Sequence, residues 1–183
     1  VGSDNSLYAS GSFDDAGGVE SADYLAVWNG ATWSSVGTYS IDDQEFEPYA
    51  ESLLIDNASG HDVLYIGGCM ERGREDLFIA KYDGTDWVAL TGIDKISACV
   101  KDMEISPSGV LVIAGQMNSE TTAIIGLAAW TNGQWRPLGN NQDENFFENE
   151  YDLLSLEITS DSRVIVGGYF ENLEGSESAD YFA

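Results

Sequence analysis

The chain is 183 residues long, 43% hydrophobic and 11% aromatic, with 32 acidic residues against 7 basic ones and a net charge of −25. That much apolar material excludes global disorder, and a field of this sign excludes phosphate backbones and anionic membrane surfaces while leaving cations, basic proteins and neutral glycans as partners. No apolar run reaches the ~18 residues of a membrane-spanning helix, the opening residues do not read as a secretory leader, and one histidine with two cysteines is too little for a zinc site or a disulfide framework.

In chain order, Leu7-Tyr8-Ala9-Ser10-Gly11-Ser12-Phe13 predicts the first strand. Leu25-Ala26-Val27-Trp28 predicts the second, and the stretch at Trp33 the third. Asn29-Gly30 lies between them and suits a tight hairpin turn, because both residue types tolerate positive φ. Ser52-Leu53-Leu54-Ile55 starts a new unit, and the turn from Asp56 to Gly60 leads into Val63-Leu64-Tyr65-Ile66-Gly67-Gly68. Leu77 to Tyr82, Asp83-Gly84 and Trp87 complete that unit. The third unit runs Val100 to Ile105, Ser106-Pro107-Ser108-Gly109, Leu111 to Met117, Leu127 to Trp130, Asn132-Gly133 and Trp135. Its turn glycine stands one place later than in the other two, which predicts a different turn type. The fourth begins with Leu153 to Ile158, a turn from Thr159 to Ser162, and Val164 to Phe170.

Each unit is thus four short strands, a to d. Strand b begins at residues 7, 64, 111 and 164, at spacings of 57, 47 and 53. Four short strands at this period are the pattern of a β-propeller blade. The expected fold is all-β: a propeller of four-stranded antiparallel blades, about three and a half of them in one segment over 1–183. The pairs Gly67-Gly68 and Gly167-Gly168 suit close backbone approach. Trp28/Trp33, Tyr82/Trp87 and Trp130/Trp135 stand five residues apart in every copy. Recurrence in register with the fold marks them as core between blades rather than as a ligand-stacking set.

The strand-b pattern Leu-Tyr-x-Gly-Gly, then Leu-Ala-x-Trp-Asn-Gly, then Trp, resembles the kelch-like repeats of the galactose-oxidase central-domain type. It is also similar to repeats of Rax2-like fungal polarity markers and of secreted bacterial surface propellers. The resemblance implies an extracellular or cell-surface protein. It also raises copper chemistry, which in galactose oxidase uses two histidines and a Tyr–Cys pair; the single His61 does not meet that requirement.

Val19 to Ala26 and Ser176 to Ala183 nearly coincide, so both ends carry the same b–c segment. Propellers use about 4 to 8 blades. A section of a larger propeller is therefore expected, with chains that complete one another through open edges as the alternative.

The connections from strand d to the next strand a hold the candidate site. Thr38 to Tyr49 carries Asp42, Asp43, Glu45 and Glu47; Asn140 to Tyr151 carries Asp143, Glu144, Glu148 and Glu150. Long loops on a rigid scaffold are where binding residues collect. The expectation is a Ca²⁺ ion or a partner held by these carboxylates, against the simpler reading of solvated acidic loops. Asn57-Ala58-Ser59 is a glycosylation sequon in a hairpin tip. Cys69 ends one strand b and Cys99 opens the next strand a, at the same end of their strands, so a bridge and two buried thiols are both compatible. No catalytic set assembles from these residues. The function expected is a non-catalytic scaffold or adhesion module that binds a protein or glycan partner. The alternatives are a carbohydrate-binding or carbohydrate-active propeller and a self-assembling structural subunit.

Overall fold

The computed structural model describes residues 1–41, 44–45, 47–48, 50–69, 79–92, 99–119, 124–138, 152–170 and 181. They form antiparallel sheets, and the chain packs as two compact units, Val1–Leu90 and Thr91–Ala183.

In the first unit β1 (Leu7–Ser10), β2 (Leu25–Trp28) and β3 (Trp33–Ser35) make a three-stranded meander. A small hairpin follows, β4 (Ser40–Ile41) with β5 (Gln44–Glu45). Then β6 (Ser52–Asp56), β7 (Val63–Gly67), β8 (Ile79–Tyr82) and β9 (Trp87–Ala89) make a four-stranded meander. The second unit holds a second four-stranded meander, β10 (Cys99–Ile105), β11 (Leu111–Ser119), β12 (Ile124–Thr131) and β13 (Gln134–Pro137). It ends with the pair β14 (Asp152–Ile158) and β15 (Val164–Tyr169). Strands a to d thus stand where their alternation predicts them. The hairpin β4–β5 is a departure from the plain loop expected there; two residues on each side are too short to show an alternation.

Every aromatic pair read from the sequence is a direct cross-strand pair between strands c and d. Trp28 faces Trp33, Tyr82 faces Trp87 and Trp130 faces Trp135, with ring centroids 5.5, 5.0 and 4.9 Å apart. Tilted contacts at this range add to the area that the rings bury. In the first unit the Trp87 side chain also joins two sheets. It is buried with Leu25, Val36, Ile41, Leu64, Ile66 and Ala80, and its Nε1 donates to Val36 O at 3.4 Å. The neighbouring Tyr82 ring lies so close under Gly37 (φ 69°) that a Cβ there would meet it at 2.9 Å. The second unit repeats the arrangement: Val112, Ala114 and Ala129 pack against Leu153, Leu156, Val166 and Phe170 of the β14–β15 pair.

The turns explain themselves from side chains. Asn29 and Asp83 each accept two backbone N–H bonds with Oδ1, from Ala31 and Thr32 in one turn and from Thr85 and Asp86 in the other. Gly30 (φ 96°) and Gly84 (φ 98°) supply the positive φ. These are four-residue connections, so the dipeptide does not close the turn by itself there. In the third copy it does: Asn132 (φ 53°) and Gly133 (φ 76°) close the two-residue link between Thr131 and Gln134.

Two backbone devices recur. β10 bulges between Val100 and Asp102, and β14 between Leu153 and Ser155. The bulge throws a backbone carbonyl toward strand b, where a Cβ on Gly115 would overlap Cys99 O and one on Gly168 would overlap Asp152 O. The close approach predicted for the glycine motif is therefore to strand a of the same sheet. The second device is a tyrosine in the left-handed conformation: Tyr24 (φ 60°), directly before β2, and Tyr181 (φ 61°). Gly11 N donates to Tyr24 O (2.9 Å) and Tyr24 N to Phe13 O (3.0 Å). Gly168 and Phe170 make the same two bonds with Tyr181, each at 3.0 Å.

Candidate functional site

In an antiparallel meander the a–b and c–d turns lie at one end and the b–c and d–a connections at the other. The b–c connection of the first sheet is an ordered loop. A short 3-10 turn, Ala16–Gly18, is held by Gly18 N to Asp15 O (2.7 Å) and Val19 N to Ala16 O (3.2 Å). Ala16 N to Ala22 O (3.0 Å) folds the loop back on itself. The Asp23 carboxylate accepts the Asp15 N–H at 2.7 Å, which fixes its orientation.

This loop and the segment after β3 enclose an open cleft of about 610 Å³. The b–c loop contributes Ser21, Asp23 and Tyr24; the other wall is Ser35, Gly37, Thr38, Tyr39, Glu47 and Pro48. Tyr39 is anchored by its hydroxyl, which donates to Leu25 O at 2.6 Å. Burial pushes the Tyr39 phenol up, the Val36 N–H bond opposes this, and the Asp23 charge adds a smaller upward push, so the ring stays neutral at physiological pH. Among the described residues the lining carries two carboxylates, three aliphatic hydroxyls and two tyrosines, and no lysine, arginine or histidine. It suits a neutral or cationic ligand and repels an anion.

Of the acidic residues expected to bind, Glu47 lies in this cleft, half-buried. Glu45 sits in β5 with its backbone paired to Ser40. Asp42, Asp43, Asp143, Glu144, Glu148 and Glu150 lie outside the described residues. Among the described residues no group of three carboxylate, histidine or cysteine side chains converges as a metal would require. Asn57 is exposed in the β6–β7 turn. In the same turn Ser59 Oγ stands 3.3 Å from His61 Nδ1, both exposed, and no carboxylate among the described residues hydrogen-bonds the other ring nitrogen as a catalytic triad requires. Neither Cys69 nor Cys99 carries a free thiol.

Reasoning from the carboxylates of the d–a loops alone missed Tyr39 in one of those loops and Ser21, Asp23 and Tyr24 in the b–c loop. A signal was present: Glu-Ser-Ala-Asp-Tyr occurs at 20–24 and again at 177–181. It reads as a duplication of ends, and only the fold shows that its first copy borders a cleft. Comparison with models of known protein families, with curated proteins and with solved structures finds no match to this chain.

Proposed function

We propose that the chain is a section of a kelch-like β-propeller that acts as a non-catalytic binding scaffold, extracellular or at the cell surface. Its partner, a protein or a glycan, docks at the end where b–c and d–a connections emerge. The propeller reading is supported by the recurring four-strand meander and by the face-on packing of neighbouring sheets within each unit. The binding reading is carried by the cleft, where both kinds of connection meet and which Asp23 and Glu47 both line. A rigid scaffold with polar loops at one end is a binding architecture. The non-catalytic reading is our preference because the described lining residues include no histidine or cysteine to activate a nucleophile.

The test compares the two ends of the sheets. The immobilised chain is screened against neutral glycans and basic proteins, then rescreened as Asp23→Asn/Glu47→Gln and as Asp56→Asn/Asp161→Asn, which changes the a–b turns by the same charge. The first pair should weaken a hit at least ~tenfold, since removing charged partners at an interface costs about 2 kcal/mol or more. The second pair should leave it unchanged. Equal losses from both would place binding elsewhere.

A further inference from the structure

We infer that the group received by this cleft is a basic side chain of a polypeptide, arginine foremost. The inference rests on the loop end being a binding face, and it concerns what that face selects. The cleft is lined by one acidic residue from each wall, Asp23 and Glu47, with no cationic residue among the described lining residues. Asp23 is held in place by the Asp15 N–H, so its charge is preset before a ligand arrives. A neutral sugar that filled this space would strip water from two half-buried carboxylates and return no opposite charge, which is costly. A guanidinium compensates both. It offers five donors in a planar fork that matches carboxylates, and its faces stack on aromatic rings such as those of Tyr24 and Tyr39.

A bare metal ion fits less well. The space of about 610 Å³ suits side chains rather than one ion, and no three acidic ligands converge among the described residues. The net charge of −25 adds a long-range field that concentrates cationic partners at the surface and speeds their encounter.

The probe is acetyl-Gly-Arg-Gly-amide, titrated into the ¹⁵N-labelled chain at about 0.15 M salt, where diffuse charge attraction is screened beyond about 8 Å. The citrulline analogue, which is neutral and of the same shape, and maltotriose are titrated in parallel. The arginine peptide should shift the amides of Asp23, Tyr24, Thr38 and Tyr39 in a saturable way. The citrulline peptide should bind at least ~tenfold more weakly, which is the effect of losing ~1.4 kcal/mol. Asp23→Asn/Glu47→Gln should abolish the response, with unchanged tryptophan indole signals reporting an intact fold. Asp14→Asn/Asp86→Asn, equal in charge and outside the cleft, should retain it.

Equal binding of the citrulline peptide, or equal loss in both double variants, would overturn the inference by showing shape or diffuse charge at work. Saturation of the cleft amides by maltotriose alone would overturn the basic-ligand class while leaving the binding face in place. A silent cleft with all three probes would overturn both.

Discussion

Single residues set the backbone course. Gly168 and Gly115 lie opposite bulges, where any side chain would meet a backbone carbonyl rather than a movable side chain. Gly60 has a positive φ of 87° but open space around it. The account therefore expects Gly168→Ala to lower stability by at least ~2 kcal/mol, through overlap that only a backbone shift relieves. Gly60→Ala should lose only about 1 kcal/mol, the conformational part alone. Equal midpoints in denaturant melts of the two variants would contradict the overlap. The glycine motif was legible as a close approach, but its partner was not. The bulges that create the contact arise because Lys101 and Leu154 are extra residues in strand register, and register is a property of pairing rather than of one strand. Asp23 was illegible for a similar reason: an acidic chain holds many candidates, and only the folded b–c loop brings this one to the cleft that Glu47 also lines.

At the scale of elements, the c–d aromatic pair is what ties one sheet to the next in the first unit. Trp87 is 4% exposed and reaches Val36, whereas Trp28 is only half-buried. Trp87→Ala should cost about 3–5 kcal/mol, the range for a buried large aromatic, and Trp28→Ala clearly less. Thermal or urea melts that rank the two equally would sink this assignment. In the second unit the joint between β10 and β14 is polar. The Asp102 carboxylate accepts Met103 N–H at 2.9 Å and Leu156 N–H of β14 at 2.8 Å. Nearby Glu104 has its carboxyl pushed above the ordinary range by burial first, then by the Glu157 and Asp102 charges, with the Ile105 N–H opposing. A raised carboxyl pKa means that the folded state prefers the protonated form. The stability it contributes is present below the ordinary Glu value and is lost as pH rises through the raised one. Glu104→Gln should therefore stabilise the chain at pH 7, by under ~1 kcal/mol because the group is largely solvated. The gain should vanish near pH 3. A gain of the same size at both pH values would remove Glu104 as its source. The strands themselves were legible because alternation and turn residues agree over five or more positions; the choice between four-residue and two-residue c–d turns was legible only from the shifted Gly133.

For the molecule as a whole, one backbone unit is repeated, and we propose that its loop end carries a binding site. The strongest sign of repetition is the left-handed tyrosine shared by the first and last copies. Tyrosine pays a steric cost there that glycine does not, yet Tyr24 and Tyr181 adopt the same φ and the same two hydrogen bonds in the first and last copies. The period of 47 to 57 residues made the repeat legible in the sequence. The cleft was only half legible, because its d–a wall announces itself by charge while the b–c loop contributes through shape. Residue-resolved amide hydrogen exchange tests the repeat most directly. The amides of Gly11 and Tyr24, and those of Gly168 and Tyr181, are all hydrogen-bonded in equivalent pairs. The account predicts that all four are slowed at least ~100-fold, an opening cost of about 2.7 kcal/mol. Protection of Gly11 and Tyr24 with free-peptide exchange at Gly168 and Tyr181 would mean that the last copy does not form, and would contradict the repeat on which the fold and the site both rest.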